Sequence, residues 1–162
     1  WGYIIHMNEF LIGIGFATFM LFMILSQIPG GKLSDRIGRK PCLVASAVGS
    51  TVTTMVMLFC TSPLQVILIQ ALGGVFAGLG YGPYEALSAE LVDESIRGTA
   101  LGIFRTTSGL IGATGPLAAS LICSIYPFET NPRTIFYLYG LANTVAAVIL
   151  ALFVKETLKR VP

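Results

Sequence analysis

Four stretches of this chain contain no lysine, arginine, aspartate or glutamate: Phe10 to Gly31, Pro41 to Tyr84, Thr106 to Phe128 and Thr134 to Val154. A helix needs about 20 mostly apolar residues to cross the hydrocarbon core of a bilayer. Each stretch is long enough for one crossing, and the second is long enough for two. Composition agrees. Hydrophobic residues make up 54% of the chain and charged residues 11%, with a mean hydropathy of +0.80. A soluble domain carries about a quarter charged residues. The chain therefore reads as an integral membrane protein. A closed barrel is the only alternative to helices in lipid, and its strands would alternate with a period of two over about ten residues. These runs are too long and do not alternate, so the expected fold is all-α.

Punctuation divides the runs into five spans within a single membrane domain, residues 1–162. They cover about 10–28, 42–60, 64–89, 99–122 and 134–154, with breaks at Pro29-Gly30-Gly31 and Thr61-Ser62-Pro63. The first apolar stretch lacks a basic leader and a small-residue cleavage site, so it reads as a span rather than a signal peptide. Cys42, Cys60 and Cys123 lie in or beside apolar runs without metal-ligand spacing and read as packing residues. No cofactor site, metal site or nucleic-acid motif is expected. No nucleophile–base pair or pair of acids lies deep in a span, so the chain is not read as an enzyme.

Five spans place residues 29–41, residues 90–98 and the C-terminal tail on one side. Lys32, Arg36, Arg39, Lys40, Arg97, Lys155, Lys159 and Arg160 fall there, with Arg105 just inside the fourth span; Arg133 alone lies opposite. The positive-inside rule makes the basic side cytoplasmic. The expected location is a multi-pass position in the cell membrane, with residues 29–41 and the C terminus inside.

The stretch Pro29 to Pro41, PGGKLSDRIGRKP, concentrates charge between two oily runs. Gly30, Gly31 and Gly38 permit a tight turn with positive φ, and Pro41 suits the first turn of a following helix. Positive-inside topology accounts for Lys32 and Lys40. It does not account for Asp35 among four cations. The order Gly31-x-x-x-Asp35-Arg36-x-Gly38-Arg39-Lys40 resembles the signature cytoplasmic loop of the major facilitator superfamily (MFS).

The resemblance implies part of a transporter of twelve helices in two six-helix halves, with five helices matching either 2 to 6 or 8 to 12. Glu90-x6-Arg97-Gly98 within AELVDESIRGTALG resembles the loop after helix 10 of sugar-porter-like members, as does GYGPYEALSAE before it. In FVKETLKRVP, Glu156-Thr157 resembles the motif after helix 12, where the chain stops as a C terminus would. Helices 8 to 12 are the expectation. Tyr84, Glu85 and Ala86 stand where sugar porters usually carry a tryptophan. GLIGATGPLAAS, Gly109 to Ser120, resembles the Gly-Pro motif of helix 5 in drug/proton antiporters, with Ala119 and Ser120 in place of paired glycines. Helices 2 to 6 of such an antiporter are the alternative.

The resemblance further implies symport or antiport of a small-molecule substrate by alternating access, with the missing half of the transporter and the lipid bilayer as partners. In the implied cytoplasmic gate, Asp35 faces the positive end of a helix in the other half. Arg36, Arg39, Glu90, Arg97 and Glu156 form an ion-pair network. Helices 8, 10 and 11 surround the cavity in this family. Thr18, Gln27, Gln70, Tyr81, Tyr84, Glu85, Thr107 and Ser108 are therefore candidate lining residues, and the second and fifth spans should lie outside. Ser46, Ser50, Thr53 and Thr54 nevertheless form a polar face on the second span.

Glu85 lies in an otherwise uncharged span, where an acid is costly and marks a functional candidate. It is read as a proton carrier or a substrate partner, or as a structural acid paired with Arg105 or the basic loop. Gly74, Gly78 and Gly82 form a stripe that lets helices approach closely, and Pro83 should kink or loosen the third span. His6 and Glu9 are candidates for an outer gate. A non-transporting membrane fragment with an interaction or regulatory role is the competing function.

Overall fold

The computed structural model describes residues 7–125 and 134–153. Five helices follow in order: α1 (Glu9–Ile37), α2 (Arg39–Met57), α3 (Pro63–Glu90), α4 (Arg97–Ile125) and α5 (Thr134–Phe153). The described residues contain no strand.

Local chemistry sets the helix starts. The Asn8 side chain caps α1 by accepting a hydrogen bond from the Leu11 N–H at 2.9 Å. Ser62 and Gln65 form a reciprocal capping box at α3, with Pro63 in its first turn. Pro63 has no N–H to waste at that position.

α1 departs from the sequence expectation. It does not stop at Ile28 but runs through Pro29, Gly30 and Gly31 to Ile37. Proline forfeits one backbone hydrogen bond. The rest of the ladder is worth keeping where the surroundings are apolar, and the extension buries Gly30 and Ser34. The expected charged turn is thereby reduced to Gly38, the only positive-φ glycine among the described residues (φ 112°). At 1.5 Å per residue α1 is about 44 Å long, against a hydrocarbon core of about 30 Å. Its charged last turns can therefore stand clear of the lipid tails. α3 likewise continues through Pro83, which is fully buried.

Close backbone contact between α1 and α3 makes the core. A Cβ on Gly74 would collide with the Phe19 carbonyl, one on Gly78 with the Met23 carbonyl, and one on Gly82 would lie 3.4 Å from the Gln27 carbonyl. Both helices advance by four residues at each step, so they run parallel. The exchange is mutual, because a Cβ on Gly30 would lie 2.8 Å from the Leu79 carbonyl oxygen. Pro83, four residues later, has no N–H to give that carbonyl. α2 packs on another face of α3 in the opposite sense. Gly49 meets the Phe76 ring, Gly80 meets Ser46, and Gly73 lies by Thr53. α5 packs on α2, where Gly140 meets Met55.

The outer surface is apolar. Phe16, Leu21, Ile24, Leu25, Ile28, Leu68 and Leu72 are all exposed, forming a patch that a soluble monomer would not carry. α1 and α3 are long and apolar enough to cross a membrane, and only 11% and 28% of their most apolar windows are buried. The helices face lipid, as expected of an all-α membrane fold.

Candidate functional site

The end of α1, the start of α2 and the end of α3 converge on one guanidinium. Arg39 Nη1 donates to Asp35 Oδ1 at 2.6 Å and to Ser34 Oγ at 2.8 Å, and Nη2 donates to Glu90 Oε1 at 3.0 Å. The Arg39 side chain is 13% exposed, against 63% for Asp35 and 39% for Glu90. Ser34 is fully buried, and its hydroxyl donates to the Gly31 carbonyl at 2.9 Å, so its lone pair is free to receive Arg39. The carboxylates have an electrostatic reason to be there. α2 begins with Arg39 and Lys40, has no acid in its first turn and no side-chain cap. Cations at the positive end of a helix dipole are unfavourable, and Asp35 and Glu90 offset them.

The motif residues otherwise spread out. Asp35, expected against a helix end of another half, accepts from Arg39 within this chain. Arg36 is exposed in the last turn of α1, where its charge suits the helix dipole. Among the described residues Arg36 enters no ion pair. Arg97 does not join the ring; its Nη2 lies 3.8 Å from Glu94 in the adjoining turn. Beside it, Asp93 accepts from the Ser95 hydroxyl and backbone N–H, and these bonds hold its carboxyl below the usual range. Glu156 and His6 lie outside the described residues. Ser34 escaped the sequence reading. Its signal was its place on the small-residue stripe Ser26, Gly30, Ser34, which faces α3.

A second ion pair joins α3 to α4. Arg105 Nη2 donates to Glu85 Oε2, the structural partner anticipated for that acid. Tyr84 supports the same junction, with its ring centroid 5.8 Å from that of Phe104. Tyr81 is exposed on α3, Gln27 is half-buried on α1, and Thr107 and Ser108 are exposed on α4.

A cleft of about 520 Å³ opens elsewhere. Phe16 and Phe19 of α1, Ser50, Thr53, Thr54 and Met57 of α2, Ile69, Gln70, Gly73 and Ala77 of α3, and Asn143 of α5 line it. Of the eight candidate lining residues, Gln70 alone is among them. The polar face of α2, assigned from the sequence to the outside, forms one wall, and α5 contributes Asn143. The reason is packing. α2 inserts its small residues Ser46 and Gly49 against α3, which turns the neighbouring Ser50, Thr53 and Thr54 inward.

Comparison with known proteins decides the family. The family model described as Major Facilitator Superfamily matches residues 1–162. The chain belongs to the major facilitator superfamily.

Its MFS relatives include an uncharacterized MFS-type transporter of Methanocaldococcus jannaschii, 34% identical over 94% of this chain and 39% of the relative. Multidrug resistance protein MdtG of Proteus mirabilis is 29% identical over 89% of this chain and 35% of its own length. The multi-drug resistance efflux pump PmrA of Streptococcus pneumoniae is 32% identical over 78% and 30%. The chain thus spans between 30% and 39% of the length of these relatives. It is a multi-pass membrane protein of that family, and Arg39 ties the stretch Gly31 to Lys40 to α3 through Glu90.

Proposed function

We propose that this chain forms part of a secondary transporter that moves a small organic solute across the cell membrane by alternating access. The missing half of the transporter supplies the facing wall of the pathway. The observation that carries this reading is the Arg39 ring, which ties the ends of three helices through contacts to Ser34, Asp35 and Glu90. The Asp35 and Glu90 carboxylates stay 63% and 39% exposed, and ion pairs open to water are worth about 0–1 kcal/mol each. A tie of that strength can break and re-form in every cycle, whereas a stronger one would hold a single state. Alternating access requires such breakable contacts between bodies that rock around a central site. The ring lies on the cytoplasmic face in this reading, as the excess of basic residues at that end supports. The multidrug names of two relatives support a drug-like organic solute. In this reading proton exchange drives its movement, with Glu85 as the candidate carrier. The reading serves helices 8 to 12 or helices 2 to 6 equally.

The test is transport by the full-length protein reconstituted in proteoliposomes. Asp35→Asn should strongly reduce uptake while the protein still inserts and purifies normally. Unchanged transport in that variant would reduce the ring to a topology signal and remove the support for a gate.

A further inference from the structure

We propose that Ser34 is a positioning residue of the gate: its buried hydroxyl keeps the Arg39 guanidinium on α1 when Asp35 turns to another partner. This role deepens the transport reading and rests on it. Two groups of Ser34 hold the corner between α1 and α2. Its carbonyl accepts the Gly38 N–H at 3.0 Å and so closes α1. Its hydroxyl donates to the Gly31 carbonyl at 2.9 Å, which leaves only lone pairs to face Arg39.

A guanidinium Nη carries two N–H donors. Arg39 Nη1 makes one bond to Ser34 Oγ at 2.8 Å and one to Asp35 Oδ1 at 2.6 Å. With that edge of the fork pinned to α1, Nη2 is aimed at Glu90 of α3. The two anchors differ in kind. Asp35 stands in water, where ion pairs are weak. It engages through Oδ1 alone, and Oδ2 makes no hydrogen bond among the described residues. Ser34 is fully buried, so water does not compete there, and hydrogen bonds from a charged donor are the stronger class. Asp35 can therefore leave for a partner in the missing half while Ser34 keeps Arg39 within reach of Glu90. Without Ser34 the arginine depends on the one acid that leaves.

Double-mutant cycles in the full-length protein test the hold. The coupling of Arg39→Ala with Glu90→Ala, read from denaturation in detergent, should be about two- to fivefold in the unfolding equilibrium. It should persist in an Asp35→Ala background and vanish when Ser34→Ala is added. Alanine removes only the oxygen and favours helix, so folding is retained. In proteoliposomes Ser34→Ala should lower kcat by that same two- to fivefold with KM unchanged. It should cost nothing more in a Glu90→Ala background, because Ser34 acts through the reach of Arg39. Ser26→Ala, on the same buried stripe, should change neither coupling nor kcat. Coupling that vanishes with Asp35→Ala alone, or survives the combined change, would overturn the proposal. So would a kcat loss that adds in full to that of Glu90→Ala, the mark of a packing residue. A native kcat in Ser34→Ala while Asp35→Asn is impaired would overturn it as well. If Asp35→Asn transports normally and the coupling pattern holds, the gate reading falls while the hold of Ser34 on Arg39 stands.

Discussion

Arg39 and Glu90 meet at 3.0 Å although 51 residues separate them in the chain. Because Arg39 also holds Asp35 four residues back, one side chain fixes the ends of α1 and α3 to the start of α2. Asp35 and Glu90 keep much of their exposure, so water weakens both contacts. Several outcomes are fixed by this and by the glycine seam.

A double-mutant cycle on Arg39→Ala and Glu90→Ala in the full-length protein should give a coupling of about 0.5–1 kcal/mol, read from denaturation in detergent. Arg39→Lys should recover only part of the coupling. A single ammonium cannot reproduce the guanidinium fork that reaches Ser34, Asp35 and Glu90 together.

Gly38→Ala should destabilise the protein by about 1–3 kcal/mol, because φ 112° with ψ 158° is a backbone region open to glycine alone. Gly31→Ala should be neutral or stabilising. That residue is helical, and a Cβ there would meet nothing within 4 Å, while alanine is favoured over glycine inside a helix by about 0.5–1 kcal/mol. Thermal unfolding of the two variants should move the midpoint in opposite directions or move that of Gly38→Ala alone.

Gly74→Ala and Gly78→Ala should each cost about 1–3 kcal/mol, the range for overpacking, since the added methyl meets the α1 backbone and not a side chain that can move away. Gly13→Ala is the control, because a Cβ there stands in open space. Equal melting temperatures across all three variants would mean that α1 and α3 separate easily.

A cysteine at the exposed Lys32 should react with an impermeant thiol reagent only after the membrane is opened, if this end of the bundle faces the cytoplasm. Labelling in intact cells would reverse the topology.

Glu85→Gln preserves the shape of the acid and removes its titration. In proteoliposomes it should abolish pH-driven accumulation yet retain substrate exchange, which needs no net proton movement. Arg105→Gln should weaken the α3–α4 junction by removing the partner of Glu85. Retained uphill accumulation in Glu85→Gln would exclude the carrier role and leave a structural pair.

The sequence by itself determined the solvent and the class of fold. Charge-free runs of span length can be satisfied in lipid only by helices, a local rule that needs no tertiary knowledge. The motif from Gly31 to Lys40 carried the family, because a spacing of named residues is also local. The stripe Gly74, Gly78, Gly82 announced a close helix contact before its partner was known. Tertiary structure decided what these features touch. Pro29 and Gly30 read as a break, yet helix continuity through them depends on what Gly30 and Ser34 bury against. Asp35 was legible as an acceptor, but its donor was settled by the geometry of Gly38, which turns Arg39 back over α1. Glu90 could join that arginine only because α1 and α3 run parallel with their ends level. The polar face of α2 was visible in the sequence, but whether it looked outward or into a cleft depended on which small residues of α2 met α3. Such choices are set by contacts between residues far apart in the chain, which hydropathy and spacing do not encode.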